Sequence, residues 1–415
     1  MTHPSLSTGP LTHQYRVTPG WFTAGTGPTS ADTSGFNTSN ALSGLLNHFP
    51  FPAPLLKELK ITLNLNNRAS NDPAILNAIF PDHPSPLQKL SLCNVVTDLP
   101  WRNLSNLTVF EFRPAQRTLV DSHFMRKLLD FFESVPLLKN IELFDSIPDS
   151  PTVSPGRVIP LLALENLAIR NLPAKSTFLN HLSIPRCALL DLHFSFSGFG
   201  PTIPFCFFNF GNPDVTTINL LVYATPWTRM QLRGPGGVLR MSGNMYKWSA
   251  PLLLQSLGKF DLSKARRLSV TANPFPSDYK IEDSLVFHTL LPMNDLRILA
   301  LTKVCDLPFI QALNPEENQS HTLLCPVLED LVIYVTSQDY VHLERLKNMA
   351  RNRAVRFSKL SSITIIDLSE GQQHHSHAIF SLKEYVWRVE CKLEASPPNW
   401  DAVFGDRGDD EYDMN

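Results

Sequence analysis

One short phrase, apolar at positions i, i+3 and i+5, recurs along most of the chain and constrains its fold more than any other feature. It reads Leu56, Leu59, Ile61; Leu87, Leu90, Leu92; Leu107, Phe110, Phe112; Leu138, Ile141, Leu143; and Leu164, Leu167, Ile169. It loosens at Cys187, Leu190, Leu192, at Val215, Ile218, Leu220 and at Ala265, Leu268, Val270. It sharpens again at Leu296, Leu299, Leu301, at Leu328, Leu331, Ile333 and at Leu360, Ile363, Ile365. The starts lie 31, 20, 31, 26, 23, 28, 50, 31, 32 and 32 residues apart, and several follow a proline: Pro54, Pro86, Pro136, Pro185, Pro326. Leucine makes up 61 of 415 residues, so a few matches arise by chance. Eleven in register, the last spacings nearly constant, do not.

The step from i+3 to i+5 is the alternation of a strand with two inward side chains. Helical stretches fall between phrases, at 74–80, 125–135, 283–291 and 340–354, the last with Leu343, Leu346 and Met349 on one face. Strand and helix recurring near 30 residues make one βα unit, and no unit buries its apolar face alone. Stacking supplies the missing contacts, at roughly 1.5–3 kcal/mol per fully buried large side chain. The expected fold class is α/β: an irregular solenoid of about eleven βα units, parallel strands on the concave face and helices on the convex face. A doubly wound sheet would show longer apolar strands and a glycine-rich first turn, and neither is present.

The phrases resemble leucine-rich repeats, and more narrowly the irregular repeats of fungal F-box proteins. The resemblance covers about Leu45 to Trp400, through openings such as Ala53-Pro-Leu-Leu-Lys-Glu-Leu-Lys-Ile61 and Cys325-Pro-Val-Leu-Glu-Asp-Leu-Val-Ile333 and a closing Pro397-Pro-Asn-Trp-Asp401. It implies repeats that hold a protein substrate while an F-box docks on a ubiquitin-ligase scaffold. Three departures stand out. The asparagine or cysteine expected three residues after the last apolar position is replaced by Val95, Leu172, Val304 and Thr336. The units exceed the roughly 20–29 residues usual for such repeats, leaving room for a full helix. No F-box is visible; Leu99-Pro-Trp-Arg-Asn-Leu104 has a suggestive Leu-Pro but no helical pattern after it. Docking on the scaffold is expected only if an F-box lies outside this chain.

The expected organisation is a Ser/Thr/Gly/Pro-rich disordered arm at 1–41, the repeat array at 42–371, a cap at 372–403 and an acidic tail at 404–415. A degenerate insertion at about 222–262 breaks the array. There Gly236-Gly237 reads as a turn between the alternating arms Met230 to Leu232 and Val238 to Met241, a projecting hairpin. A formal charge of -2 argues against a nucleic-acid footprint, and no apolar run approaches the roughly 20 residues that span a bilayer. With no secretory leader visible, and Cys93, Cys187, Cys206, Cys305, Cys325 and Cys391 scattered as buried thiols, the expected setting is cytoplasmic or nuclear.

Catalytic phrases are absent, so no enzyme, cofactor or metal is expected. His374-His375-Ser376-His377 reads as a solvated loop, since adjacent imidazoles rarely converge on zinc and no fourth ligand is near. Gly234-Pro-Gly-Gly237 lacks the Lys-Ser/Thr of a phosphate loop, and Arg407-Gly-Asp409 is a chance tripeptide. The informative residues are those at i+2, i+4 and i+6, which point away from the core: Glu58, Lys60, Lys89, Glu111, Arg113, Glu142, Arg170, Asp191 and His193 early on. Later units place Ile298, Ala300, Val332, Tyr334 and Ile366 there, so the face turns from mixed charge to apolar. Either a partner or a covering segment of the chain is expected over the apolar part. The function expected is a non-catalytic protein-binding module with Tyr334 and the nine early residues facing the ligand. The alternatives are a secreted or wall-associated structural repeat protein, suggested by the sequons at Asn37, Asn103, Asn106 and Asn318, and, more distantly, a hydrolase.

Overall fold

The structure is a computed structural model, and it describes residues 30–36, 56–63, 75–76, 86–97, 103–114, 122–147, 156–173, 176–185, 187–195, 214–222, 227–244, 254–255, 257–258, 260–272, 282–318, 321–335, 342–356, 358–367 and 381–393. The phrases become strands: β1 (Ser30–Phe36), β2 (Glu58–Leu63), β3 (Ile75–Leu76), β4 (Lys89–Thr97), β5 (Val109–Pro114), β6 (Asn140–Phe144), β7 (Ile159–Pro160), β8 (Asn166–Pro173), β9 (Leu182–Ser183) and β10 (Leu189–Ser195). After them come β11 (Thr217–Val222), β12 (Trp227–Gly234), β13 (Gly237–Asn244), β14 (Arg267–Ala272), β15 (Ile298–Thr302), β16 (Asp330–Val335), β17 (Ser362–Asp367) and β18 (Arg388–Leu393). The described α-helices are α1 (Ser122–Ser134), α2 (Asp283–Leu290), α3 (Lys303–Leu313) and α4 (His342–Val355).

All but β7 and β9 belong to one open, mostly parallel sheet, ordered β1-β2-β4-β5-β6-β8-β10-β13-β12-β11-β14-β15-β16-β17-β18 with β3 beside β4. Apart from the hairpin, each strand lies beside the strand of the next phrase. The register holds the phrases level: Leu59 faces Leu90, Leu90 faces Phe110, Phe110 faces Ile141 and Ile141 faces Leu167. Farther on, Leu268, Leu299, Leu331 and Ile363 continue the same inward row. All nine side chains are buried and belong to one core.

The turn before each strand explains why the phrase begins where it does. The N–H at i donates to the carbonyl at i−3, as in Leu107 to Leu104, Leu138 to Val135, Leu164 to Leu161, Leu296 to Met293 and Leu328 to Cys325. The i−3 side chains Leu104, Val135, Leu161, Met293 and Cys325 are buried, so the unit has a fourth apolar position that the i, i+3, i+5 phrase omits. Pro136, Pro185 and Pro326 sit at i−2, exposed in that turn, where a fixed φ suits its first corner. One carbonyl then links each unit to the next. Thr108 O accepts from Lys139 and Asn140 N–H, Arg266 O from Arg297 and Ile298, and Glu329 O from Ser361 and Ser362. Backbone groups at every such junction are thus satisfied by the neighbouring unit.

Four expectations are corrected. The helix expected at 74–80 is replaced, at Ile75–Leu76, by a short strand beside Val96 and Thr97. The arm expected at 1–41 contributes β1, paired in parallel with β2. The hairpin forms on Pro235-Gly236, with Gly234 opposite Gly237, but it does not project: β13 pairs with β10 and β12 with β11, inside the main sheet. Gly237 has φ +143, and a Cβ there would lie 2.6 Å from the Ala188 carbonyl, so only glycine lets β13 lie this close to β10. Within the expected cap, Arg388–Leu393 is a further parallel strand. It closes a twelfth phrase, Val386, Val389, Cys391, whose inward positions are left half-buried and exposed because no later described strand stacks on them. The helices at 125–135, 283–291 and 340–354 form as expected, with Leu343, Leu346 and Met349 buried.

In three early units an asparagine or aspartate stands one residue before the expected place, whereas Lys303 and Val335 precede Val304 and Thr336. Asn94, Asp145 and Asn171, at i+7, have φ of 60, 47 and 59, the left-handed region that Asn and Asp tolerate best after glycine. Asn94 and Asn171 sit where the register of β4 and β8 shifts. The shift turns Val95 and Leu172 back into the core. Asn171 Nδ2 donates to Asp145 Oδ2 at 3.2 Å, and Ser195 Oγ donates to the Asn171 carbonyl, also at 3.2 Å, tying three units together.

Candidate functional site

Alternation puts the candidate residues on the sheet face opposite the core. One row runs across it through Lys60, Ser91, Glu111, Glu142, Ala168, Asp191 and Arg240. Through the hairpin it continues to Gln231, Asn219, Ser269, Ala300, Val332 and Thr364. The repeat therefore brings residues from distant parts of the chain into one line, about 4.8 Å per strand.

In the early half the row is accessible except at Ser91, which is buried. Glu58, Lys60 and Arg113 are exposed, and Lys89, Glu111, Glu142, Arg170, Asp191 and His193 are part-exposed. Lys89 Nζ lies 3.2 Å from Glu111 Oε1, and Arg170 lies 3.2 Å from Asp191 Oδ2, at 29% and 14% side-chain exposure. The Arg113 guanidinium stands 5.3 Å from the centre of the Phe144 ring, also on this face. His193 Nδ1 accepts the Asn171 N–H at 3.3 Å, so the ordered bulge fixes the imidazole. Opposite charges meet along β2 (Glu58, Lys60) and β5 (Glu111, Arg113) and across strands at Lys89–Glu111 and Arg170–Asp191; partly exposed pairs of this kind contribute little to stability.

In the later half the same face is buried at several positions, while Ile298, Val332 and Thr364 stay part-exposed. Tyr334 is only 8% exposed, and Ala300, Ile366 and Leu221 are buried with it, outside the main core. Tyr334, expected to face a ligand, is therefore buried within the chain. The buried polar groups between the halves are partly matched: Asn219 Nδ2 donates to Gln231 Oε1 at 3.1 Å, while Ser269 Oγ and Arg240 Nε have no hydrogen-bond partner. Gln231, Asn219, Arg240 and Ser269 were not picked out as candidates, because the hairpin that inserts them into the row reverses one strand and hides the register.

Two thiols bear on chemistry. Burial pushes Cys187 up to about 11 and Cys325 up to about 12, so both stay protonated near neutral pH and neither is an activated nucleophile. Cys325 lies near Arg353, which is fully buried; its guanidinium donates to the Leu324 and Cys325 carbonyls and to Ser358 Oγ, each at 2.8 Å. Among the described residues no three His, Cys, Asp or Glu side chains gather as metal ligands, and no helix is long and apolar enough to cross a membrane. His374, His375 and His377 and the Arg407-Gly-Asp409 tripeptide lie outside the described residues. Of the sequons, Asn318 is buried, its amide donating to the Ala312 and Thr322 carbonyls at 3.1 and 2.7 Å. A scan against protein-family models returns no match, and a comparison with curated proteins returns none either.

Proposed function

We propose that the chain is a non-catalytic protein-binding module, an α/β leucine-rich-repeat solenoid that holds a protein ligand on the strand face of its early units. In this reading the strands line the concave side and the helices the convex side, and the substrate-recognition part of an F-box-type receptor is the nearest functional analogue. The single observation that carries it is the charged outer face of the early strands, where Lys60, Glu111, Glu142 and Asp191 share a row across six strands with Ser91 and Ala168 between them, and Glu58, Lys89, Arg113 and Arg170 stand on the same face. Extended strand faces of this kind match a protein surface better than a small molecule, which needs a concave apolar pocket.

The secreted structural alternative draws its support from the sequons, and one of the four, Asn318, has its amide committed inside the fold. The binding reading is the stronger for that. It is tested by affinity capture from cell extract with three chains: the wild type, a face variant (Arg113→Ala, Glu142→Ala, Arg170→Ala) and a control altered off this face (Lys127→Ala, Glu133→Ala). The expected result is a partner retained by the wild type and the control and lost by the face variant. Partners held equally by all three chains, or none above background, overturn the reading.

A further inference from the structure

The strands in the middle of the sheet carry cations without anions. β11 to β14 hold Arg229, Arg233, Arg240 and Arg267 and no Asp or Glu, whereas Glu58, Glu111, Glu142 and Asp191 offset the cations of the early strands. The register puts all four arginines on the outward face. Arg240 is level with Gln231, Asn219 and Ser269, and Arg233 and Arg267 stand on either side of Thr217. At about 4.8 Å per strand Arg233 and Arg267 are roughly 10 Å apart, and Arg240 stands diagonally from Arg233 at about 7–8 Å. Arg233 and Arg267 are exposed, and Arg240 and Thr217 part-exposed. Arg229 is already engaged, but among the described residues no carboxylate pairs with the other three. The nearest carboxylates are committed: Asp191 pairs with Arg170 and Asp214 with Lys264, while Asp330, two strands beyond Arg267, accepts from Ser362 Oγ. A second observation is independent of charge. At the two ends of the Asn219–Gln231 hydrogen bond, Ser269 Oγ, on a side chain 1% exposed, and Arg240 Nε are buried without a partner. Buried polar groups are nearly always matched, so both donors await an acceptor that the chain does not supply.

We infer that this arginine face binds an acidic segment of the protein partner, its carboxylates set against Arg233, Arg240 and Arg267. The inference rests on the protein-binding reading and names the chemistry of the ligand. Guanidinium forks hold carboxylates through paired charge-assisted hydrogen bonds, and an ionised carboxylate brings only acceptors, which the unmatched donors require. The surroundings favour a peptide over a nucleic acid. On the early side Glu142 and Asp191 would repel a phosphate backbone, which binds through an extended run of cations. On the other side the level of Arg267 continues to part-exposed Ile298, with part-exposed Val332 diagonal to it on β16. A peptide side chain can pack on that apolar pair. The contact is electrostatic and partly exposed, so it weakens with salt over a Debye length of about 8–10 Å.

Fluorescence anisotropy on the full chain tests this with a labelled decapeptide of eight Glu and two Leu, its counterpart with Gln for Glu, a ten-nucleotide oligothymidylate and citrate. The acidic peptide is expected to bind the wild type, and to bind about tenfold or more weakly to Arg233→Gln with Arg240→Gln and Arg267→Gln. A control that removes three helix arginines (Arg126→Gln, Arg345→Gln, Arg351→Gln) should stay within about twofold of the wild type, which separates the site from net charge. A second readout needs no variant: the acidic peptide should slow phenylglyoxal modification of Arg233 and Arg267 by about threefold or more and leave Arg126 unchanged. Equal binding by the face and helix variants, equal binding of the Gln peptide, tighter binding of oligothymidylate or citrate, or unprotected Arg233 and Arg267 each overturns the inference. Purified protein and a synthetic peptide suffice, so this test and the capture experiment can fail separately.

Discussion

The early half of the sheet, β2 to β10, and the late half, β14 to β18, share one inward pattern and differ in the chemistry of the outward face, charged in the first and largely apolar in the second. Inward, Leu90 and Ile141 occupy the same level as Leu299 and Leu331, and all four are buried. Outward, the early half carries Lys60 and Arg113 exposed and Glu111, Glu142 and Asp191 part-exposed, while the late half carries Ala300, Tyr334 and Ile366 buried and Ile298, Val332 and Thr364 part-exposed. The difference teaches which positions the repeat constrains. Stacking fixes the side chains pressed between neighbouring units and leaves the opposite face free to vary.

The largest expected effect lies where the halves agree. Ile141→Ala and Leu331→Ala each remove a fully enclosed aliphatic side chain, and both are expected to cost about 2–5 kcal/mol in denaturant titrations. A cost confined to one half would break the shared spine. The next effect separates the halves: Tyr334→Ala should destabilise by about 2–4 kcal/mol, as for a buried aromatic, whereas Glu111→Ala should stay within about 0.5 kcal/mol. Similar values for the two would erase the distinction. Smaller again is Asn171→Ala, which puts alanine in the left-handed region and removes the bond to Asp145, at about 1–2 kcal/mol. Asn171→Gly should recover the conformational part, and equal losses for both would assign the whole effect to the hydrogen bond.

The last effect is invisible at neutral pH. Cys187 and Cys325 hold their protons more tightly folded than unfolded, because burial raises them from 9.0 to about 11 and about 12. The unfolded chain therefore releases those protons first, and stability is whole below pH 9 and falls as the pH climbs toward these values. Thermal melts of the wild type and of Cys187→Ala with Cys325→Ala, run between pH 8 and about pH 10.5, check the sign: the wild type should lose stability more steeply. Parallel curves would show that neither thiol is held protonated by burial.

Much of this was legible before any coordinates, because a repeat states its own constraint many times. The i, i+3, i+5 positions named the inward row, and the alternation named the open face residue by residue. What stayed hidden has particular causes. The i−3 position was blurred by its chemical variety, from Leu104 and Val135 to Met293 and Cys325, although Pro136, Pro185 and Pro326 marked its turn. Asn94 and Asn171 stay hidden in the sequence because the register shift moves them one place from where a regular unit would carry them. Residues 74–80 carry a helical pattern too short to outweigh tertiary pairing, and Ile75–Leu76 joined β4 instead. The closure over Tyr334 could not be read, since an apolar face looks the same in sequence whether a partner or the chain covers it.

The central claim is that the outward face is charged and accessible at Glu111, Glu142 and Asp191 in the early half and buried at Ala300, Tyr334 and Ile366 in the late half, and cysteine accessibility tests it most directly. In a background with Cys93→Ser, Cys206→Ser, Cys305→Ser and Cys391→Ser, single cysteines replace Glu111, Glu142 or Asp191 in one set and Ala300, Tyr334 or Ile366 in the other. Maleimide labelling rates under native conditions should be at least tenfold faster for the first set than for the second. Equal rates across the two sets would contradict the account.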